Sequence, residues 1–126
     1  MKNIVAEERL KKRESINSLF QKSQVRYFLE FFGKHKKVLD VGCGYGYFTK
    51  LIKPYADEIC AIDTENSIAP SILNDGKIKF SIGSGCDIPY ENECFDCVYS
   101  MNVIEHVEDD KLFIKENIRV LKREGV

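Results

Sequence analysis

The sequence predicts an α/β protein, a parallel sheet with helices on both faces, and three observations carry that prediction. Short runs of strand formers alternate with segments of helical periodicity, the order that right-handed crossovers between parallel strands require. The runs Val38-Leu39-Asp40-Val41 and Ile59-Cys60-Ala61-Ile62 are nearly continuous apolar stretches, as in strands buried on both faces. The first run passes directly into Gly42-x-Gly44-x-Gly46 and then Tyr47-Phe48-Thr49-Lys50-Leu51-Ile52. Strand, glycine turn and helix in that order let backbone approach a ligand closely.

The elements follow in chain order. Residues 4–32 form two helices, because Ile16, Leu19 and Phe20, and again Phe28, Leu29 and Phe32, recur at helical spacing with charged residues between them. Ser23 is the expected N-cap of the second helix and Gly33 its stop. The first strand spans residues 37–41, and the helix after the glycine turn spans 46–53, ended by Pro54. Glu58 to Asp63 is the second strand and closes on an acid. Ile68, Ile72 and Leu73 suggest a short helix with Pro70 near its first turn. Asp75-Gly76 signals a turn. Lys77 to Ile82 is the third strand and Cys94 to Ser100 the fourth. The last helix covers 109–123, with Leu112, Phe113, Ile114, Ile118 and Leu121 on one face. At 126 residues this is a single domain, with 1–36 as a helical cap and 37–126 as the α/β core.

Composition narrows the function classes. Hydrophobic residues make up 44% and charged residues 31%, the balance of an ordered, soluble chain. No apolar run approaches the roughly 20 residues of a membrane span. The segment MKNIVAEERLKKRE has neither the apolar core of a secretory signal nor the acid-free character of a transit peptide, so the expected location is the cytoplasm. Of the five cysteines only Cys94 and Cys97 are closely spaced, and no second C-x-x-C or histidine pair follows. A four-ligand zinc site is therefore not expected, and the thiols are expected to be free and buried or half-buried. Residues 1–37 carry ten Lys/Arg against four Glu, a net of +6, whereas 38–126 carry nine against sixteen Asp/Glu, a net of −7. The basic segment fits a solvated helix face. A nucleic-acid partner is not expected, because no aromatic stacking platform or recognisable RNA-binding motif accompanies the charge.

In parallel sheets ligands bind outside the carboxyl ends of the strands. The glycine turn, Asp63, residues 84–87 and residues 100–106 would all fall on that edge. A dinucleotide fingerprint, G-x-G-x-x-G, needs its third glycine where Tyr47 or Thr49 stands. The pattern here is D-x-G-x-G-x-G, closed by Asp40. A carboxylate serves a pyrophosphate poorly but suits a ligand that carries an ammonium and a sulfonium. Asp63, 17 residues after Gly46, can accept both hydroxyls of a ribose. The plainer alternative is that it caps the turn into Thr64-Glu65-Asn66.

Four segments carry a family resemblance: VLDVGCGYGYFTKLI, AIDTENS, IPYENECFDCVYS, and SMNVIEHVEDD followed by IRVLKREG. With them the chain resembles the class I S-adenosylmethionine-dependent methyltransferases, in the group acting mostly on small molecules. The resemblance spans residues 37–125 and implies a Rossmann-like class I methyltransferase fold. It implies that Asp40 and the backbone of Gly42, Cys43, Gly44, Tyr45 and Gly46 hold the methionine end of S-adenosylmethionine. Asp63 would bind the ribose and Thr64 flank the adenine, with Ser84, Gly85 and Cys86 along its edge. Ser100 and Met101 would line the methionine pocket. His106, with Glu105 beside it, would stand near the substrate mouth as a general base; the alternative is that it packs against the last helix. Tyr45 and Tyr47 would shield the cofactor or serve packing.

Two departures stand out. The family usually places an acid after the third strand, where this chain has Ser84, with Asp87 three residues on. The family's sheet also continues past a segment like LKREG, whereas this sequence stops at Val126. The chain thus reads as C-terminally truncated, with an exposed fourth-strand edge that a homo- or hetero-oligomeric partner would cover. The expected function is methyl transfer to a small-molecule acceptor. The alternatives are a non-catalytic module acting through a partner chain, or an RNA methyltransferase.

Overall fold

The computed structural model describes residues 2–16, 18–74, 76–101 and 103–126. Four parallel strands, β1 (His35–Val41), β2 (Ala56–Asp63), β3 (Ile78–Ile82) and β4 (Cys97–Ser100), lie in the order β3-β2-β1-β4. The chain moves outward from β1 through β2 to β3 and then returns to the other side of β1. The order therefore reverses between β1 and β4, and such a reversal opens a crevice at the carboxyl ends of the strands.

Strand alternation sorts the core into two layers. Val38, Ile59, Ala61, Ile78 and Cys97 face one way, toward Ala6, Leu10, Phe32, Ile52 and Ile72. Leu39, Val41, Cys60 and Ile62 face the other way, toward Ile88, Phe95, Phe113 and Val120. Both faces are covered, as the continuous apolar runs required.

Helices α1 (Lys2–Ser15) and α2 (Leu19–Phe32) cover the first layer with α3 (Tyr47–Ile52). Ala6 and Leu10 are buried one helical turn apart on α1. Glu7 accepts from the Ser71 backbone N–H at 2.7 Å and its hydroxyl at 2.9 Å, and Glu14 pairs with Lys50 at 2.6 Å. These contacts fasten α1 to the core at its middle and near its C-terminal end. The N-cap of α2 is Ser18, which accepts from Gln21 N–H at 3.2 Å, and not Ser23. Ser18 directly precedes the first helical residue, where orphan N–H groups exist to be capped; Ser23 lies inside the helix. Gly33, at φ 73°, ends the helix as expected.

Other boundaries also shift. β1 begins at His35, and the segment after α3 tightens into a 3-10 turn over Lys53–Tyr55. The expected short helix is the 3-10 turn Pro70–Leu73, and Ile104–His106 forms a further one. Of the predicted Asp75-Gly76 turn, Asp75 lies outside the described residues; Gly76 has φ 72°. β4 starts three residues later than expected, because the Cys94 and Phe95 N–H groups donate to Val120 O rather than to the sheet.

The last helix, α4 (Asp110–Val120), is capped by Asp109 accepting from Leu112 N–H at 3.0 Å. It buries Phe113 and Val120 and leaves Leu112, Ile114 and Ile118 exposed, so its inner face is not the expected one. Two stripes with helical spacing run along this helix, and the periodicity does not say which faces the sheet. The outer edge of β4 is also not bare throughout. Val126 N–H donates to Asp96 O at 3.0 Å and Val98 N–H to Val126 O at 2.9 Å.

Arg119 ties α4 to the second layer. It donates to Ile88 O, Tyr90 O and Asn92 Oδ1, each at 2.9 Å, and to both Glu116 oxygens. Glu116 in turn accepts from Ile88 N–H at 2.8 Å. Arg119→Met should cost about 2 kcal/mol in urea unfolding, since it orphans two carbonyls and an inward carboxylate. The control Lys122→Met, which removes an exposed pair with Asp96, should cost less than about 1 kcal/mol.

Candidate functional site

The site is built where β1 ends. Gly42 and Cys43 donate their N–H groups to Ile62 O at 2.8 and 3.0 Å, and Gly46 donates to Cys43 O at 3.0 Å. Ala69 N–H and the Ser67 hydroxyl close on Tyr45 O and Gly44 O at 3.0 and 3.3 Å. The turn is therefore braced on several sides by groups other than a ligand.

Its three glycines serve different needs. All have positive φ, 77° at Gly42, 56° at Gly44 and 94° at Gly46. A Cβ on Gly42 would collide with the methyls of Val103, and one on Gly46 with Ile72. A Cβ on Gly44 would meet nothing within 4 Å. Two glycines are thus required by packing, and the middle one leaves open space.

Asp40 is the buried charge beneath this turn, with 3% of its surface exposed. One carboxylate oxygen, Oδ2, accepts from the Thr49 hydroxyl at 2.7 Å and the Tyr99 hydroxyl at 2.5 Å. Burial raises its pKa from 3.8 to about 6; the nearby Asp63 charge adds to this, and the two hydroxyls oppose it. Burial likewise pushes the Tyr99 phenol well up, with the Asp40 charge adding to it. Burial, then the charges of Asp40 and Asp63, raise the Cys43 thiol, so it stays protonated and is no nucleophile.

A cavity of about 180 Å³ opens here, lined by Asp40, Gly42, Cys43, Gly44, Tyr45, Gly46 and Met101. These are seven of the residues expected at the methionine end. Arg13, Tyr47 and Phe48 complete the lining. Arg13 was not foreseen as a site residue: it lies in a run of cations, and only the docking of α1 turns its guanidinium over the Tyr47 ring, 4.6 Å from the centroid.

The remaining candidates lie outside that lining. Asp63 ends β2 and reaches back to the turn, accepting from Gly44 N–H at 2.9 Å and Glu65 N–H at 3.3 Å. It thus caps the following turn, and its half-exposed carboxylate keeps lone pairs for a hydroxyl. Thr64 is exposed beside it. Ser84 accepts from Cys86 N–H at 3.1 Å. Gly85 is pressed on Phe113 and Val41, where a Cβ would not fit, and the Cys86 thiol points to Asp109 O at 3.6 Å. Ser100 pairs in register with Val41 at the top of the sheet. His106 is exposed on the 3-10 turn after Val103, 3.8 Å from Glu105. All five cysteines are free thiols, and none is fully exposed.

A parallel sheet reversing between β1 and β4, with a glycine turn, a buried acid and a second acid at the β2 end, defines an α/β domain of the Rossmann-like class. Residues 39–126 match the methyltransferase domain family. The chain is 32% identical over 95 residues to ajmaline N-methyltransferase of Rauvolfia serpentina, covering 69% of this chain and 33% of that one. It is 34% identical over 95 residues to the chloroplastic tocopherol O-methyltransferase of Arabidopsis thaliana, covering 69% and 27%. A crystallised Methanococcus maripaludis protein assigned to the S-adenosyl-L-methionine-dependent methyltransferases shares the fold with a TM-score of 0.75 at 22% identity, covering 95% of this chain and 59% of that one. The chain belongs to the methyltransferase domain family, of the class I S-adenosylmethionine-dependent type, and spans about a third of the length of the curated relatives it matches. Its cofactor by that membership is S-adenosylmethionine.

The Asp40 carboxyl binds its proton more tightly in the folded chain than in the unfolded one. Its contribution to stability is therefore fully present below about pH 4 and is lost as pH rises through about 6. Asp40→Asn removes this loss while keeping an acceptor for Thr49 and Tyr99. The variant should be more stable than the parent at pH 7.5, by up to about 3 kcal/mol, with the gap closing toward pH 4. Thermal unfolding across that range measures it.

Proposed function

We propose that this chain binds S-adenosylmethionine over the glycine turn and takes part in transferring its methyl group to a small-molecule acceptor. The observation that carries the reading is the buried Asp40 carboxylate beside the open space over Gly44, in a cavity that Met101 also lines. Bound there, the cofactor supplies an electrophilic methyl on a sulfonium. Asp40 offers the negative charge that an ammonium and a sulfonium seek, in surroundings where burial strengthens the attraction. Arg13, the cation of the lining, suits the carboxylate of the methionine end. Asp63 would turn its lone pairs to the ribose hydroxyls, with Thr64, Ser84, Gly85 and Cys86 flanking the base and Ser100 flanking the methionine end. Relatives named for N-methylation of ajmaline and O-methylation of tocopherol support a small-molecule acceptor.

What the protein adds to the transfer is alignment, holding the acceptor atom in line with the methyl. His106 is the proposed acceptor of the proton that an acceptor hydroxyl gives up. It stands three residues beyond Val103, which is seated against Gly42. No described helix is long and apolar enough to cross a membrane, and five free thiols suit a reducing compartment such as the cytoplasm. A partner chain lying along β4 beyond the Val126 contact belongs to the same proposal, with light scattering as its test.

Calorimetric titration with S-adenosylhomocysteine should show one site per chain. Asp63→Ala should weaken it at least about tenfold through the lost ribose hydrogen bonds. Affinity for S-adenosylmethionine should fall as pH drops below 6, where Asp40 takes up its proton. Absence of binding by the folded chain would overturn the reading. In a transfer assay His106→Gln should slow turnover by about a hundredfold or more without changing cofactor affinity; unchanged turnover removes the histidine from the mechanism.

A further inference from the structure

The class of the acceptor can be read from a second cavity, on the assumption that the first holds the cofactor. This cavity measures about 580 Å³, within the usual range for small-molecule sites, and it shares Arg13, Phe48 and Met101 with the smaller one. A ligand in it would lie against the methionine end of the cofactor cavity, where an acceptor must be.

Its walls are aromatic. Phe28 is fixed edge-on to Phe48, ring centroids 5.2 Å apart, and also packs at a tilt against Phe32 and Tyr99. Phe20 and Tyr27 come from the same side of α2, seven residues apart, and are 71% and 77% exposed. Large aromatic side chains left in water around a concavity indicate an apolar occupant. Phe31, 89% exposed one turn further along α2, lies outside this lining.

The charges exclude one kind of occupant. No carboxylate is among the described residues of the lining; the neutral polar groups are Gln21, Ser23, Gln24 and the Tyr27 hydroxyl, and the one charge is Arg13. A protonated amine would find no counter-ion within this lining, and the Arg13 guanidinium, even when paired with the cofactor carboxylate, supplies none. Neutral amides and a hydroxyl can instead bond the oxygens of an uncharged ligand.

We propose that this cleft seats a flat, uncharged aromatic hydroxyl compound as the methyl acceptor, its ring held among Phe20, Tyr27, Phe28 and Phe48. In the transfer the acceptor oxygen bonds to the methyl carbon as the methyl–sulfur bond breaks. The electron pair of that bond stays on sulfur, and the hydroxyl proton leaves to a base or water. The acceptor is ionised no earlier than the step that consumes it, so the cleft needs no buried counter-charge.

The test is a matched pair of probes, 2-naphthol and 2-naphthylmethylammonium, titrated into the full chain with and without saturating S-adenosylhomocysteine. The naphthol should bind at least about tenfold more tightly than the ammonium. Phe20→Ala and Tyr27→Ala should each weaken the naphthol about fivefold while leaving S-adenosylhomocysteine affinity unchanged. Phe31→Ala, the exposed control outside the cleft, should leave both unchanged. Equal or tighter binding of the ammonium, or naphthol affinity insensitive to Phe20 and Tyr27, would overturn the assignment. Failure of S-adenosylhomocysteine to bind would instead overturn the cofactor reading, and the naphthol titrations without it would still report on the cleft.

Discussion

One carboxylate oxygen organises this domain. Asp40 Oδ2 receives the hydroxyl of Thr49 from α3 and that of Tyr99 from β4, while the residue itself belongs to the central strand β1. Two neighbouring elements and a third that follows far later in the chain therefore meet at a single buried charge. An ionised carboxylate in such surroundings is costly unless it is well supplied with donors. Both donors fall on one oxygen, and the same residue lines a cavity. The interaction that orients β1, β4 and α3 toward each other is also the one that leaves a carboxylate facing the cavity.

The glycine turn and the helical cap complete that arrangement from opposite sides. Val103 and Ile72, one from each core layer, fill the spaces that Cβ atoms at positions 42 and 46 would need, so the turn is gripped from two sides. Above, α1 is held by carboxylates at Glu7 and Glu14, and α2 by the aromatic cluster of Phe28, Phe32, Phe48 and Tyr99. The cap is therefore fixed by two different kinds of force. Its polar anchors lie on exposed ground, where each contributes little alone, and its aromatic anchors lie over the sheet.

Much of this was legible in the sequence. Period and composition alone place the four strands, both N-terminal helices and the parallel sheet, because apolar runs such as 38–41 and 59–62 allow no other burial. The D-x-G-x-G-x-G spacing and Asp63 also indicate the site, and the cavity does gather Asp40, the turn and Met101. What escaped sequence reading depends on tertiary contact. Arg13 looked like one more surface cation until the docking of α1 set it over Tyr47. Ser18 and Ser23 are chemically equal as caps, and only the start of the helix decides between them. The inner stripe of α4 could not be chosen from two candidates of equal period. The later start of β4 follows from Val120 capturing the Cys94 and Phe95 amides, a pairing between segments that no local pattern announces. The packing of Gly85 on Phe113 and Val41, which leaves no room for a Cβ there, is a further tertiary contact of this kind.

The bracing of the turn has a consequence for how this chain can change over generations. Its contacts run through main-chain atoms of residues 42, 43, 44, 45 and 46, joined by the side chains of Asp63 and Ser67. The side chains at Cys43 and Tyr45 line the pocket and pack against the core, and the Cys43 thiol also donates to Gly44 O at 3.7 Å. Apolar replacements of similar size at those two positions would reshape the pocket while the hydrogen-bonded path of the backbone stays put. Change in the pocket is thereby limited to what the core beneath it will accommodate.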